Sequence, residues 1–575
     1  MRLLLPYSAI LALLAAFVSV GPPSRAETKV AERPKLVVLL VFDQMRGDYL
    51  SRWYDLYPEG GFRRLAGDGA WFENCHYPYA NTLTAPGHAT LATGCSPQKH
   101  GIVGNEWHDL VRGKSAYCVG AGRYTLIPPP AIDPNAKEDK DAEKKPKSVS
   151  PEPLLSPTLA DAIKKQLGKE SRVVALSLKD RSAILPGGKS PDACYWADAG
   201  GRFITSTYYR DRVHPWVADF NKGAYGDRWF GKSWDRLRAD VDYVKWAGPD
   251  DVTGEGTGST QGRTFPHPFD GGKDKSMKVY RAAVANSPMG NDLLWALAKK
   301  AIDAEKLGTR ATPDFLSISF SSNDLVGHTW GPDSQEVLDT TLRSDLLVKN
   351  ILTTLDEKVG KGKYVVVLSA DHGICPLPEV SRSRKIDAGR VDLVALLSAT
   401  EEYLDEKFPE MGADSKDGHP WIEGSKSNML YLDRKKMKRR GVERAVVEKA
   451  LAGWLRRKTG IQATYTRAEM TAGDPLDEIG RMVKASYHPD RSGDVMVVLK
   501  PYWLPATYLT GTTHGSPHAY DTHVPLVVFG THVKSGKRKE RVSPEHAAVI
   551  LATSLGIDPP GDAVRKLPEG LFAKP

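Results

Sequence analysis

Lys35-Leu-Val-Val-Leu-Leu-Val-Phe42 runs apolar and largely β-branched straight into Asp43. A short continuous run of this kind, without polar alternation, predicts a strand covered on both faces. Similar runs are Val173-Val-Ala-Leu-Ser-Leu178, Phe315-Leu-Ser-Ile-Ser-Phe320, Tyr364-Val-Val-Val-Leu-Ser369 and Val524-Pro-Leu-Val-Val-Phe529. Helical patterns lie between several of them, at Leu293 to Leu307 and Asp333 to Val359. The alternation predicts an α/β architecture, a mostly parallel central sheet sandwiched by helices, with inserted cap segments.

Polar residues close these runs. Asp43 ends the first, Lys179-Asp180-Arg181 the second and Asp371-His372 the fourth, while Asn323-Asp324 comes after the third. Ligands of open parallel sheets gather outside the carboxyl ends of the strands, so these residues are expected to share one crevice. Any one of them alone reads equally well as a helix cap or turn former. Their recurrence carries the expectation.

A hydroxyl nucleophile stands in Asn81-Thr-Leu-Thr-Ala-Pro-Gly-His88, at Thr84, and an amide donor lies downstream at Asn105. Asp324 and His328 are four apart, on one face if the segment is helical, a spacing that suits two ligands of one ion. Asp371 and His372 converge only if the chain turns after the strand, which Gly373 permits. In Gly511-Thr-Thr-His-Gly-Ser-Pro-His-Ala-Tyr-Asp-Thr-His523 three histidines compete. Gly515 favours His514 as the ligand, leaving His518 and His523 as supporting residues. His88 and His100 lack partners at ligand spacing, so capping or packing is expected of them. Oxygen and nitrogen ligands without thiolates fit catalytic zinc. A threonine ionises too weakly to attack phosphorus unless a metal lowers its pKa.

In combination and order, Asp43, Thr84, Asp324/His328, Asp371/His372 and His514 resemble the alkaline phosphatase superfamily. The likeness spans roughly residues 35–120, 170–190, 310–380 and 505–530. It implies two zinc ions per subunit: one held by Asp324, His328 and His514, the other by Asp43, Asp371, His372 and the Thr84 oxygen. Thr-Ala-Pro-Gly-His with Asn105 also resembles the nucleotide pyrophosphatase/phosphodiesterase branch. Leu178-Lys-Asp-Arg-Ser182 resembles instead the Lys-x-Arg pair of the phosphate-irrepressible alkaline phosphatases. On a strand, Lys179 and Arg181 would project to one side, where two cations suit a phosphate monoester and Asn105 adds a neutral donor. The resemblance thus implies a phosphate-monoester hydrolase working through a phosphothreonine on Thr84, with a phosphodiesterase or nucleotide pyrophosphatase as the alternative. No Cys-x-Pro-x-Arg segment occurs, which argues against a sulfatase.

The ends and composition set the surroundings. Met1-Arg2, the apolar run Leu3 to Val20 and a small-residue finish at Ala26 predict a signal peptide over 1–26, hence a periplasmic or secreted protein. No later run nears the ~20 apolar residues of a spanning helix, so no membrane anchor is expected after cleavage. Residues 27–575 are expected to form one catalytic domain with insertions at about 190–285, where strand alternation is not evident, and 385–495, covering the active-site face. The charged stretch 134–150 reads as a surface loop. The net charge of +9 is spread out and describes solvated surface rather than a nucleic-acid footprint. Small phosphate esters are the partners expected. Export permits disulfides, but the five cysteines, Cys75, Cys95, Cys118, Cys194 and Cys375, leave at least one thiol unpaired within a monomer.

Overall fold

All seven residues of Leu36–Phe42 (β1) are buried in the computed structural model, which describes residues 33–129, 148–409, 419–473, 477–506 and 509–573. Full burial of such side chains stabilises by roughly 1.5–3 kcal/mol each and requires cover on both faces of the sheet. The other strands of this sheet are Ala70–Phe72 (β2), Leu126–Ile127 (β3), Val173–Ser177 (β4), Ala193–Ala197 (β5) and Phe203–Ser206 (β6). Asp314–Phe320 (β7), Tyr364–Ser369 (β8), Leu526–Gly530 (β9) and Gly536–Arg538 (β10) complete it. Their spatial order is β10-β2-β9-β8-β1-β7-β4-β5-β6-β3. β1 sits centrally with a parallel partner on each side, Leu36 facing Asp314 of β7 and Tyr364 of β8. β4 and β5 extend the parallel part, whereas β9 runs antiparallel to β8 and β6 antiparallel to β5. The fold is the expected α/β one: a mostly parallel sheet flanked by helices.

That register places the carboxyl ends of β1, β4, β7 and β8 along one edge. Three helices leave from this region: Thr84–Thr93 (α1), Asp180–Gly187 (α2), which comes after β4, and Ser322–Trp330 (α3), which comes after β7. Beyond β8 the chain turns irregularly through Asp371, His372 and Gly373.

Both stretches expected as insertions contain strands. Residues 190–285 begin with β5 and β6, which belong to the central sheet. Ala-Cys-Tyr-Trp-Ala is apolar and buried over its first four residues, but it is short and mixes residue types, so no alternation marks it. Residues 385–495 overlap a separate antiparallel sheet of Ile422–Lys426, Met429–Leu432, Val495–Leu499 and Ile461–Thr466. A small core around Trp421, Leu432, Val447 and Leu451 packs with it. All five cysteines are buried and unpaired. No helix among the described residues is long and apolar enough to cross a membrane. The expected signal peptide, 1–26, and residues 134–147 of the charged stretch lie outside the described residues.

Candidate active site

The ligands expected from the sequence converge, and their hydrogen bonds fix how. On α3, one helical turn brings His328 Nε2 to 3.1 Å from Asp324 Oδ1. His514 Nε2 lies 3.7 Å from the same oxygen. His372 Nε2 lies 3.5 Å from Asp43 Oδ1 and 3.3 Å from Asp371 Oδ2. Each of these imidazoles uses Nδ1 on a backbone carbonyl: His328 on Thr512 O, His514 on Thr82 O and His372 on Gly373 O, at 2.7, 2.8 and 2.9 Å. That leaves three Nε2 lone pairs facing carboxylate oxygens, the outer support typical of metal-bound histidine. Lone pairs so close to carboxylates repel unless positive charge lies between them.

Two groups of ligand atoms, each mutually within 4.8 Å, result: Asp324, His328 and His514; and Asp43, Asp324 and His372. Asp324 thus stands in both groups. Asp371, expected beside Asp43 and His372, keeps its Oδ2 3.3 Å from His372 Nε2 and 3.2 Å from His88 Nδ1, while its Oδ1 accepts from the Gln44 backbone N–H at 3.1 Å.

The site is short of positive charge. Asp43 Oδ1 and Asp371 Oδ2 are buried and accept no hydrogen bond among the described residues. Lys179 Nζ sits 2.6 Å from Asp43 Oδ2 and 2.6 Å from Asp324 Oδ2, a cation bridging a carboxylate of each group. Burial and then Asp371 push the Asp43 carboxyl well above its usual range. Burial also raises Asp324, but His328 and Lys179 outweigh it and hold that carboxyl well below the usual range. Burial, with His372 and His328 beside it, depresses His514 strongly, and its ring stacks on His372 with centroids 3.5 Å apart. Orphaned carboxylate oxygens, free Nε2 atoms and a bridging ammonium together fit divalent cations in these two groups.

Thr84 is the first residue of α1, after Leu83 in extended conformation. Its hydroxyl therefore lies at a helix N-terminus, where the dipole and free N–H groups favour negative charge. Thr84 Oγ1 is 3.4 Å from His372 Nε2. Asn105 Oδ1 accepts from the Ala85 N–H at 2.8 Å, so the Asn105 Nδ2 is the donor left for a ligand. α1 presses against the end of β8: a Cβ on Gly87 would meet Asp371 O at 2.1 Å.

Two contributors escape a reading of the sequence. His88, expected to pack, bonds Thr84 O at 2.8 Å and Ser319 Oγ at 2.7 Å as well as lying beside Asp371. Its position one turn after Thr84 is the available signal. Gln44, at φ +72°, donates from Nε2 to Asp324 Oδ1 at 2.6 Å. Lys179 and Arg181 require a correction. β4 stops at Ser177, Lys179 caps α2 and Arg181 lies in its first turn, so the same-side argument for a strand does not apply. Lys179 turns to the carboxylates, while Arg181 Nη1 donates to Tyr117 Oη at 3.4 Å. His518 and His523 use Nε2 on Leu499 O and Glu73 O. A cavity of about 550 Å³ bounded by Leu83, Asn105, Thr257, His328, Thr512 and His514 opens onto this constellation.

The central sheet with this constellation at its strand ends defines an enzyme of alkaline phosphatase-like fold. The chain belongs to the type I phosphodiesterase / nucleotide pyrophosphatase family, whose profile matches residues 37–521. It is 35% identical over 558 residues to alkaline phosphatase PafA of Elizabethkingia meningoseptica, covering 96% of this chain and 97% of that one. Alkaline phosphatase PhoV of Synechococcus elongatus is 34% identical, over 93% of this chain and 92% of PhoV. The crystal structure of wild-type PafA superposes with a TM-score of 0.84 at 33% identity, over 94% of this chain and 99% of that one. A PafA variant substituted at a threonine, an asparagine, a lysine and an arginine matches with the same TM-score of 0.84.

Proposed function

We propose that the protein is an exported, zinc-dependent phosphate-monoester hydrolase that acts through a phosphothreonine on Thr84. One observation carries the reading: a threonine hydroxyl at a helix N-terminus lies 3.4 Å from His372 Nε2, beside two ligand groups that share Asp324. The names of PafA and PhoV support monoester hydrolysis. In the PafA variant the threonine and asparagine, and the lysine and arginine, stand at the same spacings as Thr84 and Asn105, and Lys179 and Arg181.

Asp324, His328 and His514 would hold one zinc ion, and Asp43, Asp324 and His372, with Asp371 adjacent, the other. Bound there, the ions would lower the pKa of the hydroxyl and balance charge on the attacking and leaving oxygens. The chain's own groups do the rest. Thr84 Oγ1 forms the new P–O bond in line with the ester oxygen, whose bond to phosphorus breaks. The α1 N-terminus steadies negative charge on Thr84. Asn105 Nδ2 and the Arg181 guanidinium donate to non-bridging oxygens, and Lys179 adds a fixed positive charge. Water then attacks phosphorus, breaking the Thr84 P–O bond and releasing phosphate. His88 ties α1 to Ser319 of β7 throughout. The N-terminal 26 residues support export to the periplasm or medium, and small phosphate esters are the proposed substrates.

The family profile favours a second reading, phosphodiester or nucleotide pyrophosphate hydrolysis on the same scaffold. Steady-state kcat/KM for an aryl phosphate and for its methyl diester separates the two. The monoester should be the better substrate; a preference for the diester would replace the first reading with the second.

A further inference from the structure

Arg181 is half-buried, and its Nε, itself buried, has no hydrogen-bond partner among the described residues. Its Nη1 donates to Tyr117 Oη at 3.4 Å. The neighbouring carboxylate of Asp180 turns elsewhere, its Oδ1 accepting from Tyr117 Oη at 2.6 Å and from the Arg181 backbone N–H at 2.6 Å. A phenol has one hydrogen, and Tyr117 gives it to Asp180. The oxygen lone pairs of Tyr117 are thereby turned toward Arg181. Asp180 thus orients the phenol, and the phenol orients the guanidinium.

The position of Tyr117 is set by a hairpin, Glu106–Asp109 paired with Lys114–Tyr117. Glu106 faces Tyr117 across it, and the Cys118 N–H donates to Asn105 O at 3.0 Å. One small element therefore fixes Asn105 at its start and the brace of Arg181 at its end. The distance between the neutral donor and the cation is set by a two-stranded ladder rather than by a loose loop.

We propose that Tyr117, oriented by Asp180, is a positioning residue that aims Arg181 at the phosphoryl group and so sets the preference for the more highly charged monoester. The inference rests on the phosphatase reading above. An Arg side chain left to its own rotamers binds the same charge with less precision, and a bidentate contact depends on the plane of the fork.

The test is kcat/KM for an aryl phosphate and its methyl diester on zinc-loaded wild type, Tyr117→Phe, Arg181→Ala and the double variant, with zinc content and Tm measured on each. Tyr117→Phe should lose about tenfold or more on the monoester, the scale of one hydrogen bond to a charged group. On the diester it should stay within about twofold, and in the Arg181→Ala background it should add no further loss. Asp180→Asn, which keeps an acceptor oxygen, should retain most of the monoester activity. If Tyr117→Phe does not fold, Asp180→Ala, which frees the phenol, carries the same expectation. Equal losses on both esters, losses that multiply in the double variant, or a Tyr117→Phe enzyme like wild type beside an impaired Arg181→Ala would overturn the inference alone. Full monoester activity in Arg181→Ala would sink the role given to the Lys179/Arg181 pair, and this inference with it.

Discussion

Thr84 Oγ1 lies 3.4 Å from His372 Nε2 although 288 positions separate the two in the chain. The contact joins the start of α1 to the turn after β8 and puts the hydroxyl beside the ligand groups. His372 keeps its Nε2 lone pair free by donating Nδ1–H to Gly373 O. Thr84→Ala removes the oxygen and little else, because the N-terminus of α1 is held through Asn105 and His88. It should lower kcat for an aryl phosphate by about 10³-fold or more, the scale for losing a nucleophile. Zinc content and Tm should stay close to wild type. Turnover near normal would mean that another group attacks phosphorus.

Lys179 and Arg181 differ in their surroundings, which separates their expected effects. Lys179→Ala strips an ammonium lying 2.6 Å from each of two buried carboxylates, so it should change metal affinity as well as rate. Arg181→Ala leaves those carboxylates untouched. Its kcat/KM for an aryl phosphate should fall about 10²- to 10³-fold, the range for one oxyanion donor, with a clearly smaller loss on the methyl diester. Zinc titration of the apo forms completes the comparison, with tighter binding expected for Lys179→Ala, which removes a cation competing for both carboxylates, and unaltered binding for Arg181→Ala.

Gly87 is required by proximity. An added Cβ would come within 2.1 Å of Asp371 O, a backbone atom that cannot swing aside. Gly87→Ala should destabilise by about 1–3 kcal/mol, as overpacking does, and should displace either Thr84 or Asp371. Chemical denaturation and kcat on the same preparation measure both effects. Wild-type stability with wild-type activity would show that α1 does not press on the end of β8.

His100 gives the protein an acid-sensitive stability. Burial, with Arg491 nearby, lowers its pKa to about 3, and its Nδ1 accepts from the Ile102 N–H at 3.1 Å, a bond that protonation would break. The unfolded chain binds a proton at this residue below about pH 6.5 while the folded chain does not. Its contribution is therefore complete above about pH 6.5 and is lost as pH falls toward 3, at up to about 1.4 kcal/mol per pH unit. His100→Asn should be less stable at pH 7 and should lose less between pH 6.5 and 4.5. Parallel slopes for the two proteins in urea denaturation would refute the assignment.

The burial of each long strand and the polar residue closing it are legible in the sequence. Leu36–Phe42 announces a doubly covered strand because every residue is apolar, and Asp43, Asp324 and Asp371 stand out as carboxylates at the ends of such runs. β5 and β6 stay hidden because segments of five and four residues are too short to show a period. The separate sheet spanning 422–499 is masked by the charged helices between its strands. Lys179 reads as a strand residue, yet the helix beginning at Asp180 takes over within three residues of Ser177. Gln44 and His88 cannot be assigned their roles from sequence: one depends on a positive φ and the other on how α1 docks against Asp371. The sharing of Asp324 between two ligand groups is likewise a property of docking, since it needs α3, β1 and the 511–515 turn in place together.

The proposed chemistry requires two cations beside Thr84 in these ligand groups. Anomalous diffraction across the zinc edge, from crystals of zinc-loaded protein, tests that requirement most directly. Two peaks are expected, one bonded to Asp324, His328 and His514, the other to Asp43 and His372, with both near Thr84 Oγ1. A single peak, or zinc bound away from these residues in a fully active preparation, would contradict it.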